Sequence, residues 1–309
     1  MGFVLLNNNL SPLPFYDEES FQNHRKDYAF GNIYPLICPL RQVLPFQFIY
    51  KANGQDITTG TPIITWLDEE NSHISHEVPL NISWKALEVT DTTNTSIGFY
   101  KGDTDLPEIN REGRAYIKIE INNTFIYSEI ITFVSDISNY LRIDYKNSYP
   151  FTFGVYDNRQ IIFKKVEQEG DFIVSVTNFM FRVYLCSQLG KPEYVFEESA
   201  VERMGYSFIE SQVSKKIYKF NFLAPEFLCD ALRIIRLCDY KKLYSKGITY
   251  NMLNFEMAVE WQEQGDIANV ECSFEADTVI ANIGGYTDVL DEDTNNGNFN
   301  LDFNEDYNI

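Results

Sequence analysis

The sequence predicts a mainly β protein with two β-sandwich-like domains, one α-helix covering the second, and an extended arm at each terminus. The chain contains 24 Phe and 20 Tyr, and aromatic side chains suit the pleated, half-buried surface of a strand. Apolar residues alternate with polar ones in 117–121 and in 253–261, which is typical of an antiparallel strand with one wet face. Asn122 and Asn123 tolerate the positive φ angles of a primed turn, so they predict a hairpin.

One segment, residues 225–239, predicts a helix in a chain that otherwise has the patterns of strands and turns. Pro225 suits the first helical position, because the N–H that it lacks has no partner there. Leu228, Leu232 and Ile235 belong to an apolar stripe at helical spacing. We expect this stripe to cover the sheet that is closed by the last two long strands of the chain.

Proline content, periodicity and charge divide the chain into four regions. Residues 1–42 are proline-rich and predict an extended N-terminal arm with a short helix at 18–26. Residues 43–136 predict a β-sandwich-like domain, and residues 137–282 predict a second β-rich domain that contains the helix. Residues 283–309 combine many acidic residues with many Asn, and they predict an acidic C-terminal arm.

The net charge of −20 restricts the partners of the protein. A surface of this sign repels the backbone of nucleic acids and anionic membrane surfaces, so we expect neither partner. No window approaches the ~20 apolar residues of a membrane span, and the N-terminus lacks the basic start of a secretory signal. An odd cysteine count without a C-x-x-C motif predicts buried free thiols in a reducing cytosol, with a disulfide or zinc site as the alternative. These cysteines are Cys38, Cys186, Cys229, Cys238 and Cys272.

No cluster of residues indicates a reaction, so the sequence predicts no enzyme, no catalytic residue and no cofactor. The densest acidic groups before the tail are Asp68–Glu70 and Glu197–Glu202. A glycosidase requires two carboxylates that face each other across a sugar, and solvated loop charge is the simpler interpretation of both groups. Trp66, Trp84 and Trp261 suggest a carbohydrate platform, with strand-core aromatics as the alternative.

Two segments have partial metal-site patterns, and neither leads us to predict a metal. His73 and His76, with Glu77 beside them, have a spacing compatible with zinc, but the stretch is polar and typical of a surface loop. Residues 291–302 resemble a calcium-binding EF-hand loop. Asn296 stands where that loop requires glycine, and no flanking helices are predicted.

The second predicted domain contains a series of short motifs. They are Pro192-Glu193-Tyr194, Glu197-Glu198, Glu202-Arg203-x-Gly205, Lys216-Ile217-Tyr218-x-Phe220, Glu226 to Leu232, and Trp261 to Gly265 followed by Phe274. With these motifs, residues 140–282 resemble a family of virion structural proteins of Bacteroidetes-infecting tailed phages, including crAss-like phages. Proteins of this family are β-rich and associated with tail, collar or fibre. The resemblance transfers no catalytic residue, because the matching positions have the character of core and turn positions.

Both predicted arms carry apolar residues that suit docking on a neighbour. The expected partner-binding residues are Phe3, Val4, Leu5 and Leu6 in the N-terminal arm and Phe299, Leu301, Phe303 and Tyr307 in the acidic tail. In a virion assembled in the bacterial cytoplasm, many modest contacts in a symmetric complex would add together.

The resemblance and the arms together predict a non-enzymatic structural component of a tailed-phage virion, in the tail, collar or fibre-attachment region. Its expected partners are other virion proteins and copies of itself. The alternative is a carbohydrate-binding receptor-recognition module of a phage fibre, with a host-surface glycan as the partner. A glycosidase that acts on capsule is a third hypothesis.

Overall fold

A computed structural model describes most of the first 282 residues. The described ranges are 3–6, 11–29, 36–42, 44–53, 63–74, 78–79, 95–102, 109–121, 123–146, 151–156, 159–163, 172–176, 180–203, 206–261 and 266–282. The chain divides into two compact units. The first unit contains residues 1–192 and 217–276, and the second contains residues 193–216 and 277–309.

The protein is mainly β, as the sequence predicts, and its sheets form sandwich-like layers. The described strands in the first half of the chain are β1 (Phe3–Leu6), β2 (Phe15–Asp17), β3 (Leu36–Pro39), β4 (Phe46–Asn53), β5 (Ile63–Asp68), β6 (Val78–Pro79), β7 (Thr95–Gly102), β8 (Gly113–Ile121), β9 (Thr124–Ser128), β10 (Ile131–Val134) and β11 (Tyr140–Lys146). The others are β12 (Phe151–Tyr156), β13 (Arg159–Phe163), β14 (Phe172–Val176), β15 (Phe181–Cys186), β16 (Glu193–Arg203), β17 (Tyr206–Pro225), β18 (Tyr240–Ser245), β19 (Ile248–Asn251), β20 (Leu253–Trp261) and β21 (Ile267–Asn282). The described α-helices are α1 (Glu18–Ala29) and α2 (Glu226–Leu232).

Strand β8 is the centre of a seven-stranded sheet in the first unit. It pairs with β5 along one side, and with β9 and β10 along the other. Strand β2 extends this sheet beyond β9, and β3 pairs in parallel with β10. The predicted hairpin is confirmed, since Ile121 pairs with Thr124 and Asn123 has a φ of 61°.

One face of β8 lies on the core, and the other is covered at Tyr116, while Lys118 and Glu120 are half-buried and Arg114 is exposed. Ala115, Ile117 and Ile119 point into the main hydrophobic core. Tyr116 points to the opposite face, as the alternation of a strand requires, and joins a smaller cluster with Phe21 of α1. The predicted short helix at 18–26 is confirmed as part of α1, and it covers Tyr116 on this second face.

Helix α1 is held to the sheet by ring stacking and by a buried carboxylate. Phe21 is fully buried, and its ring stacks on Tyr127 at 4.7 Å between centroids. The Glu129 side chain is completely buried, and its Oε2 lies 2.6 Å from His24 Nε2 and accepts a hydrogen bond of 3.0 Å from the hydroxyl of Tyr16. These contacts anchor residues of the predicted N-terminal arm in the first unit.

A second sheet of the first unit has the strand order β15–β11–β18–β19. Its inner strand β11 is antiparallel to both neighbours, and Leu141, Ile143 and Tyr145 of this strand are buried. Two three-stranded sheets have the orders β1–β4–β7 and β13–β12–β14, and the last sheet has the order β16–β17–β21–β20.

The predicted helix at 225–239 is confirmed in position, and its second half has a tighter form. The α-helix spans Glu226–Leu232, and a 3-10 helix follows over Arg233–Leu237. Cys238 is extended and ends the helical segment. The apolar stripe is buried as expected, and the 3-10 helix contacts β20.

Buried residues on both sides of position 136, such as Phe133 and Leu141, belong to one hydrophobic cluster. The domain boundaries proposed from the sequence stay predictions. The acidic C-terminal arm, 283–309, lies outside the described residues.

Replacing Phe21 with alanine is expected to destabilise the protein by about 3–5 kcal/mol, because it removes the ring that α1 buries against the sheet. Urea unfolding followed by circular dichroism measures the change. Gln22 is exposed on the same helix, and Gln22→Ala is expected to change the stability by less than about 0.5 kcal/mol. Equal stability of the two variants would contradict the anchoring role of Phe21.

Candidate functional site

The acidic group Asp68–Glu70 forms a structured turn beside a cavity of about 250 Å³. Asp68 Oδ1 accepts hydrogen bonds from the backbone N–H groups of Glu70 and Ser72, at 3.0 and 2.8 Å. Asp68 Oδ2 lies 3.3 Å from the guanidinium of Arg111. The carboxylate of Asp68 therefore shapes the turn and is balanced by a cation.

Two other acidic side chains that line this cavity, Glu69 and Glu112, also have bonding partners. Glu69 pairs with Arg114 at 3.1 Å. Glu112 accepts hydrogen bonds from the hydroxyl and backbone N–H of Ser135, and these bonds lower the pKa of Glu112. A general acid in a glycosidase requires a raised pKa, so the shift at Glu112 runs opposite to that chemistry.

The second acidic group, Glu197–Glu202, lies on strand β16 of the second unit. Consecutive residues of a strand point to opposite faces, so Glu197 and Glu198 do not face each other. Glu197 pairs with Lys215 at 2.5 Å, and Glu198 accepts a hydrogen bond from Gln212 at 2.8 Å. Both pairs link β16 to β17, and they organise the hairpin.

A larger cavity, of about 430 Å³, lies in the first unit. Its lining combines tyrosines, serines and cations, and it contains no acidic residue among the lining positions that the structure describes. The lining residues are Pro39, Leu40, Gln42, Ser135, Ile137, Ser138, Tyr140, Arg142, Tyr184, Tyr244, Ser245, Lys246 and Gly247.

Three of the lining residues form a row on adjacent strands. Arg142 of β11 is directly opposite Tyr184 of β15 on one side and Tyr244 of β18 on the other. The Arg142 guanidinium carbon lies 3.8 Å from the centroid of the Tyr244 ring, within the range of a cation–π contact. Burial raises the pKa of Tyr184, so its phenol stays protonated and able to donate a hydrogen bond.

A buried carboxylate holds Arg142 in this position. Asp144 is only 3% exposed. Its Oδ2 accepts a hydrogen bond of 2.9 Å from Arg142, and its two oxygens accept bonds of 2.8 and 3.2 Å from Arg182. Buried charges require such pairing. Arg142 Nε is buried and has no hydrogen-bond partner among the described residues.

The residues predicted to bind partners are placed only in part. Residues 3–6 form β1, which pairs with β4 through the backbone, and nothing further is described for their side chains. Phe299, Leu301, Phe303 and Tyr307 lie outside the described residues. The role of both groups stays a prediction.

The structure describes some of the residues proposed for a carbohydrate platform and for a zinc site. Trp66 is 2% exposed and lies edge-on to Phe133 at 5.5 Å between ring centroids, so it is a core residue and not part of a surface platform. Trp84, His76 and Glu77 lie outside the described residues, and His73 is exposed. Within the described residues, no group of three or more His, Cys, Asp or Glu side chains is arranged to hold a metal ion.

All five cysteines are free thiols, as predicted, but one of them is not buried. Burial raises the pKa values of Cys38 and Cys238 to about 12, and that of Cys229 to about 11. Cys186 is exposed. It is the last residue of β15, where the alternation of the strand turns it away from the core that buries Leu185.

Sequence reasoning missed the larger cavity, although part of its signal is present. Tyr140, Arg142 and Asp144 alternate with apolar residues along β11, so they share one face of the sheet. An arginine and an aspartate on the same face of a strand suggest an ion pair. The aromatic partners of Arg142 come from strands that are distant in sequence.

No protein-family model, curated protein or solved structure matches the chain. Neither of the two described α-helices is long and apolar enough to cross a membrane.

Replacing Asp144 with asparagine is expected to cost about 3–5 kcal/mol of stability, because two guanidinium groups lose the buried carboxylate that balances them. Urea unfolding of the purified protein measures this loss. Asp266 is exposed, so Asp266→Asn is the matched control and is expected to stay within about 0.5 kcal/mol of the wild type. If Asp144→Asn unfolds at the same urea concentration as the wild type, the carboxylate does not stabilise the two arginines.

Proposed function

We propose that the protein is a non-enzymatic structural component of a tailed-phage virion, in the tail, collar or fibre-attachment region, and that its hairpin β16–β17 binds a neighbouring subunit. The observation that supports this role is a group of exposed apolar side chains on the second unit. Phe196 is 73% exposed and Tyr194 is 61% exposed. Aromatic residues of this size are the typical anchors of protein interfaces.

The exposed side chains lie on a strand that is suited to association. Strand β16 stands at one end of the strand order of its sheet, so it is an edge strand. Tyr194 and Phe196 are two positions apart and therefore project from the same face. An edge strand offers backbone groups for pairing with another chain, and alternate side chains add specificity.

The charge of β16 favours a basic partner over a second copy of this chain. The strand contains four glutamates, Glu193, Glu197, Glu198 and Glu202, and one arginine, Arg203. Pairing the strand with itself would bring like charges together, which is destabilising. We therefore assign the hairpin to a neighbouring virion protein whose surface carries lysine or arginine around an apolar groove.

The test compares phage particles grown on cells that supply wild-type or variant protein in place of the phage's own copy. The wild-type protein is expected in purified particles. The double variant Tyr194→Ser/Phe196→Ser is expected to be incorporated about tenfold less, because it loses two apolar anchors at the interface. Quantitative mass spectrometry of the particles measures the amount.

The control variant is Ile248→Ser, since Ile248 is 55% exposed in the first unit and is not part of the hairpin. It is expected to be incorporated normally. Absence of the wild-type protein from purified particles would overturn the virion role. Normal incorporation of the double variant would overturn the assignment to the hairpin alone.

The acidic tail provides a separate test of the arms. Deleting residues 286–309 is expected to leave a folded protein that enters particles poorly, because the deletion removes the alternating apolar residues of the tail. A matched variant keeps the length and charge of the tail and changes only Phe299, Leu301, Phe303 and Tyr307 to serine. Normal incorporation of both variants, measured in the same particles, would show that the tail makes no essential contact.

A further inference from the structure

We propose that the cavity around Arg142 is a binding site for an acidic sugar, meaning a uronic or sialic acid residue, either free or within a glycan. The lining residues of the site all belong to the first unit, and none of them belongs to β16 or β17. The inference therefore does not depend on the proposed assembly role.

The charge of the cavity favours an anion. Arg142 and Lys246 line it, and no Asp or Glu is among the described lining residues, although the chain as a whole has a net charge of −20. Arg142 shares the single carboxylate of Asp144 with Arg182. Two positive groups and one negative group leave an excess of one positive charge, which a ligand carboxylate would balance.

The Arg142 side chain lines the cavity and is partly exposed. One terminal nitrogen donates to Asp144, whereas Nε is buried without a partner among the described residues. Because Nε is buried, a ligand carboxylate would bind the exposed part of the side chain. Stacking on Tyr244 fixes the plane of the guanidinium, so the group is already oriented before a ligand binds.

The rings and hydroxyls of the cavity favour a sugar over other anions. Tyr140 lines the cavity and is only half-buried, so the C–H face of a pyranose ring can lie against its ring. Gln42 and Ser245 also line the cavity with neutral hydrogen-bonding groups, and the hydroxyl of Ser135, which donates to Glu112, can still accept a hydrogen bond. Several neutral donors and acceptors suit a ligand with several hydroxyls, whereas a small inorganic anion would leave most of them unused.

The cavity has the volume needed for one or two sugar units, and the turn at Lys246 forms part of its lining. Its volume of about 430 Å³ falls within the range of about 300–1,000 Å³ that is typical of small-molecule sites. Lys246 and Gly247 both have positive φ angles, at 49° and 79°, in the tight turn that joins β18 to β19. This turn places the exposed Lys246 at the lining of the cavity, where its charge can meet the ligand.

The experiment measures binding of four probes to the purified full-length chain by titration calorimetry and ligand-observed NMR. The probes are glucuronate, glucose, benzoate and inorganic phosphate. Glucuronate is expected to bind most tightly, because it alone combines a carboxylate with a polyhydroxylated ring. Two further probes complete the series: neuraminic acid distinguishes a sialic from a uronic acid, and a glucuronate-containing oligosaccharide distinguishes a glycan unit from a free acid.

Two variants locate the site. Arg142→Gln and Lys246→Gln are each expected to weaken glucuronate binding, the first by at least about tenfold. Lys246 is exposed, so Lys246→Gln keeps the test valid even if Arg142→Gln unfolds. Lys191 is exposed and does not line the cavity, and Lys191→Gln is the charge-matched control that is expected to bind as the wild type does.

Three results would overturn the inference. The first is the absence of glucuronate and neuraminic acid binding at millimolar concentration. The second is binding of glucose, benzoate or phosphate as tight as that of the acidic sugars. The third is that Lys246→Gln binds glucuronate as tightly as Lys191→Gln does, and that Arg142→Gln, where it folds, binds glucuronate as tightly as the wild type does.

Discussion

The buried carboxylate of Asp144 is the constraint on which the first unit depends. It lies on the inner strand of a four-stranded sheet, and Arg182 reaches it from the neighbouring strand through two hydrogen bonds. Opposite faces of the same strand thus carry an ion cluster and the apolar core of Leu141, Ile143 and Tyr145. A second guanidinium on the same carboxylate makes the cluster positive, and this charge gives the adjacent cavity its chemical character.

Much of the fold could be predicted because its signals are local. The hairpin at Asn123, the helical stripe that includes Leu228, and the alternation of β20 each depend on neighbours within a few residues. The covering of Tyr116 could not be predicted in the same way. It requires Phe21, which is about 95 positions away in the sequence, to return to that face, and only the tertiary structure brings the two rings together.

The sites were harder to predict than the fold for the same reason. Arg142 and Tyr244 meet because two strands distant in sequence pair in one register, and a shift of one residue would move every side chain to the other face. The acidic groups were visible in the sequence, but composition does not reveal that Asp68 caps its own turn or that Glu197 pairs across a hairpin. The exposure of Phe196 likewise depends on what covers that face of its sheet, which the local sequence pattern does not show.

The exposed Cys186 makes the cavity accessible to direct observation. It pairs in register with Tyr140, which lines the cavity, whereas the other four thiols are buried. A maleimide dye therefore attaches at one position of the native chain without any engineering. Its emission would report on the polarity beside the cavity, so the protein contains a natural attachment point for a fluorescent sensor.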